Sequence, residues 1–316
     1  MPQIINTNIV SLNAQRNLNS SQSALGTAMQ RLSSGLRVNS AKDDAAGLAI
    51  AERMNSQIRG MNVAIRNAND GISLAQTAEG ALGKIGDMLQ RMRELAIQSR
   101  NATNSDGDRE NLQKEFVELQ GEIRRTIESS KFNGKSLFDQ NGTSFEATMV
   151  YQVGANTEES DRIVLTGQNL HGTAATVSGT GAFTSTDAAE ILATVFTADL
   201  DGSSSGIAIG GWDAAVSGAL VGEEIDNAVK VIDSALTVIN DQRAKYGAIQ
   251  NRFESVIANL QVAAENQSAA RSRIMDADFA AETAALSRAQ ILQQAGNAMV
   301  AQANQLPQQV LSLLQR

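Results

Sequence analysis

The chain of 316 residues contains no cysteine. Disulfides, thiolate metal sites and cysteine nucleophiles are therefore excluded together. A chain without thiols also suits work outside the reducing cytoplasm. One histidine is present, His171, in the Gly/Thr-rich stretch GQNLHGTAAT. A lone loop histidine without partners is far more often solvent-facing than catalytic. Aromatic residues make up 3% of the chain against 42% hydrophobic residues, so the interior has to be aliphatic and rich in alanine. The 2 prolines, Pro2 and Pro307, stand near the extremes. Everything between them lacks the strongest helix breaker, which permits very long helices. No apolar run reaches the roughly 18 residues of a transmembrane helix. The opening MPQIINTNIVSLN has neither the basic region nor the apolar run of a secretory signal peptide, so export would need another route.

Charge is also unevenly supplied. The total is −8, which disfavours nucleic acid and anionic membrane as partners. Residues 1–42 hold Arg16, Arg31, Arg37 and Lys42 and no acid; residues 283–316 hold only Arg288 and Arg316. With +4 and +2 at the ends, the interior carries −14. Acid-free ends leave few charges to desolvate in a packed inner layer, and the acidic middle would face water.

What the chain does have is apolar periodicity at both ends. Small or apolar residues fall at Ala14, Leu18, Ser21, Leu25, Ala28 and Leu32, in alternating steps of four and three. A similar stripe runs Leu292, Ala295, Met299, Ala303, Leu306, Val310 and Leu313. Such spacing is the seam of a coiled coil. Most domains fray at their termini; seams there need burial, against each other or against other copies of the molecule.

Between the ends, a helix of about fifty residues opens at Asp43-Asp44, two acids suited to a helix start. Its stripe runs Ala51, Met54, Ile58, Met61, Ile65, Ala68, Ile72 and Ala75, then Leu82, Ile85, Leu89, Met92 and Ala96. NATNSDGD, 101–108, is a turn by composition. A third helix places Leu112, Phe116, Leu119, Ile123 and Ile127 on one face and ends near Ser129-Ser130. Asn133-Gly134 signals a hairpin, and FEATMVYQV and DRIVLTG alternate as short strands. Residues 166–221 turn to Gly, Ser, Thr and Ala, with Trp212, and form a small β-rich or irregular insert. From Ile225 the helical period returns through Val229, Ile232, Leu236, Ile239, Arg243, Tyr246, Gln250, Phe253, Ile257, Leu260 and Ala264. Arg243 and Gln250 either fix register at seam positions or lie at the seam's edge. The order of elements is palindromic, so the chain goes out and back and its terminal segments lie side by side. The expected fold is mainly α: a long coiled-coil-like helix bundle with short β-hairpins and a small β-rich outer insert.

QRLSSGLRVNSAKDDAAGLAIA, Gln30 to Ala51, closely resembles the signature stretch of bacterial flagellins. LQRMRELAIQS, KFNGKSLF and YQVGAN are similar to further flagellin stretches, as are RAKYGAIQNRFE, ENQSAARSRIMDADFAAE and QILQQAGNAMVAQANQLPQQVLSLL. The resemblance covers about 1–160 and 222–316 and fails over 166–221, where flagellins differ most. It implies three layers: 1–42 with 270–316 as a terminal coiled coil inside a filament, 43–165 with 222–269 as a helical core domain with its β-hairpin, and 166–221 as a small solvent-facing domain. It further implies a helical homopolymer in the extracellular flagellar filament, exported unfolded by the type III apparatus without a cleaved signal peptide. The implied partners are many copies of the same chain, an export chaperone, the filament cap and hook-junction proteins.

The resemblance also carries recognition sites. Gln30, Asp43, Asp44, Gly47 and Ala51 match the segment sensed by plant immune receptors. Arg91, Leu95 and Glu115 match positions facing the flagellin-sensing Toll-like receptor, and Leu311, Leu313 and Leu314 match a tail recognised by cytosolic sensors and the export chaperone. Arg91 and Leu95 share a helix face off the Leu89, Met92, Ala96 seam, which makes Leu95 an exposed apolar anchor. Without the resemblance, Leu95 packing on a neighbouring helix and Arg91 as a solvated charge is the favoured reading. No cofactor or metal is expected. A metallopeptidase insert needs HExxH, which one histidine cannot supply, and the paired acids Asp43-Asp44, Glu158-Glu159 and Glu223-Glu224 suit caps and solvated charges. The hook–filament junction protein is the nearer alternative; it usually carries a proline after the acids, where this chain has Ala45-Ala46-Gly47.

Overall fold

The computed structural model describes residues 8–138, 148–167, 169–170, 195, 209 and 221–314, without the side chains of 221–224 and 306–314. Five long helices stand among them: α1 (Ile9–Ser34), α2 (Ala45–Ser99), α3 (Asp106–Ser129), α4 (Val221–Met275) and α5 (Phe279–Leu314). Four short strands lie between α3 and α4: β1 (Lys131–Phe132), β2 (Lys135–Ser136), β3 (Thr148–Gln152) and β4 (Arg162–Thr166). The mainly helical architecture with antiparallel strand pairs agrees with the sequence.

The chain divides into two compact units, one of residues 1–59 with 263–316 and one of residues 60–262. Both divisions fall inside helices, α2 and α4, whereas the resemblance implies boundaries at 42–43, just before α2, and at 269–270 in α4.

In the terminal unit α1 packs along α5, so the two end segments do lie side by side. Asn8 opens α1, its Oδ1 accepting the Ser11 N–H at 3.1 Å. Gly35 closes it in the left-handed region at φ 70°, donating to the Arg31 carbonyl. The chain then runs against the α4–α5 connection: Arg37 N–H donates to the Met275 carbonyl at 2.6 Å, and Ala277 N–H to the Gly35 carbonyl at 2.9 Å. Beneath this crossing Val38, Ala51 and Met275 are buried together. Asp44 caps α2, accepting the Gly47 N–H at 2.8 Å. The helix therefore begins at Ala45, and Asp43 instead holds the preceding turn through Ser40 and Asn39.

In the unit of residues 60–262 the core is aliphatic and closely packed. Leu82, Ile85, Leu89, Met92, Leu95 and Ala96 of α2 meet Phe116, Ile123 and Ile127 of α3 and Ile225, Ile232 and Ile239 of α4, all buried. α3 starts at Asp106, inside the segment assigned to a turn, because Ser105 and Asp108 form a reciprocal capping box. Asn133 and Gly134 both take positive φ, 50° and 77°, and connect β1 to β2 as the Asn-Gly signal requires. β3 pairs antiparallel with β4 in the register Val150↔Val164. Behind that ribbon Tyr151 meets Phe253 edge-on at 5.5 Å. A Cβ at Gly71 would stand 2.6 Å from Phe253 Cζ, so α2 needs glycine where the ring crosses it.

Of the two polar interruptions in α4, Arg243 is exposed and Gln242 takes the buried position beside it. Gln250, by contrast, donates from Nε2 to Glu79 Oε2 at 2.9 Å and ties α4 to α2. Of the described residues of 166–221, Leu170, Val195 and Ile209 are buried in the helical core and Thr166 is exposed. The remainder of 166–221, His171 and Trp212 included, lies outside the described residues.

Candidate assembly site

The α1 stripe faces inward as its spacing predicts. Ala28 is buried, and Ala14, Leu18, Leu25 and Leu32 are half-buried while the positions between them are largely exposed. The α5 stripe does not. Leu292 is 51% and Met299 56% exposed, and Ala295 is exposed too. Only Ala303 of the described predicted positions is buried. The residues that turn inward are Leu286, Ala289, Gln293, Gly296, Val300 and Ala303, the same alternating period in a different phase. The reason is size. Gly296 lets α1 come so close that an added Cβ would lie 3.2 Å from Leu18 Cδ1. Small side chains thus make the helix–helix contact and the larger apolar ones are left on the flank.

Those larger residues line a groove of about 320 Å³ between the two helices, walled by Val10, Ala14 and Leu18 on α1 and by Leu292, Ala295 and Met299 on α5. Ile9, Leu12 and Ile291 of the same two helices are also exposed, at 62%, 52% and 66%. Both ends of the hairpin are pinned by polar contacts. Near one end Asn8 Nδ2 donates to the Ala303 carbonyl at 2.7 Å, and Ser11 Oγ donates to Asn304 Oδ1 at 2.8 Å. At the other, Arg31 approaches Glu282 at 3.9 Å. Sequence periodicity missed Asn8, Ser11, Val10 and Gly296; the pairing of polar residues across two remote segments leaves no local signal. Leu306, Val310, Leu311, Leu313 and Leu314 belong to α5, but their side chains lie outside the described residues.

The three positions implied for a receptor separate. Leu95 is fully buried and does not supply an exposed anchor. α2 is covered on two sides, by α3 and α4, so its inward face is wider than the single Leu89, Met92, Ala96 stripe. Arg91 and Glu115 are exposed and bonded to one another, Nη2 to Oε1 at 2.8 Å, with Glu94 as a further partner of Arg91 at 3.0 Å. The Glu115 carboxylate, then Glu94, hold the Arg91 guanidinium above its ordinary pKa. Of the plant-receptor-like positions, Gln30 is exposed, Asp43 is an exposed carboxylate held below its usual range by the Ser40 hydroxyl and amide, and Gly47 and Ala51 are buried.

Among the described residues no group of three His, Cys, Asp or Glu is arranged to hold a metal, and no helix is long and apolar enough to cross a membrane. The geometry defines the class first: a helical subunit whose terminal hairpin presents an uncovered apolar groove. Comparison then supplies the family. The model of the bacterial flagellin N-terminal helical region matches residues 5–143, and that of the C-terminal helical region matches residues 229–314. The chain belongs to the bacterial flagellin family. It is 40% identical to flagellin A of Vibrio anguillarum over 98% of this chain and 99% of that one. It is 35% identical to the B-type flagellin of Pseudomonas aeruginosa over 99% and 100%. A solved structure of a flagellar hook-associated protein from Vibrio parahaemolyticus has a TM-score of 0.55 at 12% identity, covering 74% of this chain and 100% of that one. At that identity the likeness is one of fold.

Proposed function

We propose that this chain is the structural, non-enzymatic subunit of an extracellular flagellar filament and that it polymerises by burying the α1–α5 groove against further copies of itself. The observation that carries the reading is the exposed flank of the hairpin, where Val10, Leu292 and Met299 remain more than half exposed beside a seam of small residues. Contiguous apolar surface of this kind marks a contact site. Folding of the terminal unit is then coupled to assembly, in keeping with export of the unfolded chain by the type III apparatus with a chaperone. The filament cap and hook-junction proteins would meet the same exposed seams. The absence of acids on 1–42 fits packing of many copies around one axis.

The test is seeded polymerisation of a Leu292→Asp, Met299→Asp double variant, scored by electron microscopy. Both side chains are already exposed, so the free subunit should melt as the parent does, while filament growth should cease. Normal filaments would remove the groove from the mechanism. Removal of 283–316 should likewise abolish growth.

The surface pair Arg91–Glu115 is the part of the receptor-matching set open to a partner. Arg91→Ala should weaken activation of the flagellin-sensing Toll-like receptor and leave filaments intact. Lost filaments with unchanged activation would assign Arg91 to packing instead.

A further inference from the structure

All the side-chain sulfur of this protein is thioether: the chain has 9 methionines and no cysteine. Apart from Met1, every methionine lies among the described residues, and the fold sorts them by exposure. Met61, Met92, Met149 and Met275 are buried, and Met54 and Met88 are partly buried. Met29 and Met299 are exposed, at 55% and 56%. These two differ in their surroundings. Met29 stands on α1 outside the groove of the terminal hairpin, whereas Met299 lines that groove with Leu18, Leu292 and Ala295. One exposed thioether is therefore set into the apolar groove, and no thiol of the chain competes with it for an oxidant.

A thioether is soft and polarisable, and peroxides convert it to a sulfoxide. We propose that Met299 is an oxidation site that decides whether a free subunit can join others, an inference that rests on the reading of the groove as the assembly surface. The sulfur lone pair attacks one oxygen of hydrogen peroxide; an S–O bond forms and the O–O bond breaks. The leaving hydroxide takes the proton of the transferred oxygen and departs as water. Sulfur is oxidised by two electrons and the peroxide is reduced by two. The product is polar and chiral where the thioether was apolar and flexible. Covering its oxygen with apolar surface costs free energy that covering a thioether does not. The contact that excludes an oxidised subunit also shields one already assembled, so an oxidant stops growth and spares the filament that stands. The change is reversible: methionine sulfoxide reductases, one for each epimer, return the thioether, the oxygen leaving as water with two electrons supplied by thiols.

The experiment starts from the purified full-length subunit, treated briefly with hydrogen peroxide so that most chains stay unmodified. Peptide mass mapping should show Met29 and Met299 gaining oxygen about tenfold or more faster than the buried Met61, Met92 and Met149. Filaments are then grown on seeds from the mixed pool and mapped against it. Met299 sulfoxide should be depleted in them about tenfold or more, the scale of covering one polar group without a partner. In preformed filaments given the same peroxide, Met299 should react about tenfold or more slower than in the free subunit. Treating the excluded subunits with both reductases should restore their incorporation. The site is overturned if Met299 reacts no faster than Met92, or if its sulfoxide enters filaments in proportion to its share of the pool. Equal reactivity in filament and free subunit overturns it too, as does exclusion that persists after reduction. Unoxidised Leu292→Asp tests the groove by itself. Its growth at the parent's rate would sink the assembly reading, whereas its arrest beside undepleted Met299 sulfoxide sinks the oxidation site alone.

Discussion

The terminal unit and the unit of residues 60–262 are built from the same kind of long helix, and they differ in what their seams contain. In the second, leucine, isoleucine, methionine and phenylalanine meet from α2, α3 and α4 and are almost wholly removed from water. In the first, the α1–α5 contact rests on Ala28, Ala289, Gly296 and Ala303, with Leu18 and Leu25 only partly buried. Burial stabilises by about 25 cal/mol per Å² of apolar area, so small side chains on a two-helix contact contribute little. Polar pins at both ends set its geometry without adding much area. A seam of this kind specifies which helix pairs with which, and it leaves Leu292 and Met299 more than half exposed.

Phe116→Ala should break the stronger side of this contrast most severely. It empties a fully buried ring position and should cost about 3–5 kcal/mol, seen as a large fall in the melting temperature of the full chain. Alkaline pH should act on the same unit by a different route. Burial pushes the Tyr246 hydroxyl up to about 12 from 10.0, with Tyr151 a smaller contributor. Its contribution to stability is therefore fully present below pH 10 and is lost as pH rises through about 12, on the order of 2–3 kcal/mol. Tyr246→Phe should flatten that part of the pH–stability curve measured by denaturant titration. Gly71→Ala follows: its methyl would strike the Phe253 ring, and about 1–3 kcal/mol is expected from equilibrium unfolding. Smallest is Leu18→Ala in the terminal unit. Partly buried and facing a glycine, it should lower the free subunit's stability by about 1 kcal/mol. A loss comparable to that of Phe116→Ala would erase the distinction between the two units.

Much of this contrast is legible in the sequence, but not all of its faces. The helical period from Ala51 to Ala96, with a one-residue shift after Ala75, marks α2, and Asn133-Gly134 marks the β1–β2 turn, because each is a local signal. Periodicity fails where a helix carries two apolar faces. On α5 the eye follows Leu292 and Met299 because they are large, whereas close approach to α1 selects Gly296 and Ala289 because they are small. Leu95 misleads for a related reason: a helix touched from two sides buries more than one stripe. Arg243 and Gln242 differ by one position, the drift between a 3.5-residue pattern and a 3.6-residue helix. The hydrogen bonds of Ser99 and Gln113 with the Ile209 main chain give no signal at all, since polar residues on a helix say nothing of a main-chain partner far along the chain.

One residue of the hairpin has an effect larger than its size. α5 continues through Pro307, which has no N–H. The Ala303 carbonyl, four residues earlier, is therefore orphaned within its own helix. Asn8 supplies the missing donor from the other end of the chain, while the oxygen of the same amide caps α1. A single planar group thus repairs one helix and begins another. An aspartate at position 8 would keep the cap and set a negative oxygen against that carbonyl. The start of α1 is in this sense conditional on a defect in α5, and the defect locates the pairing to a single register.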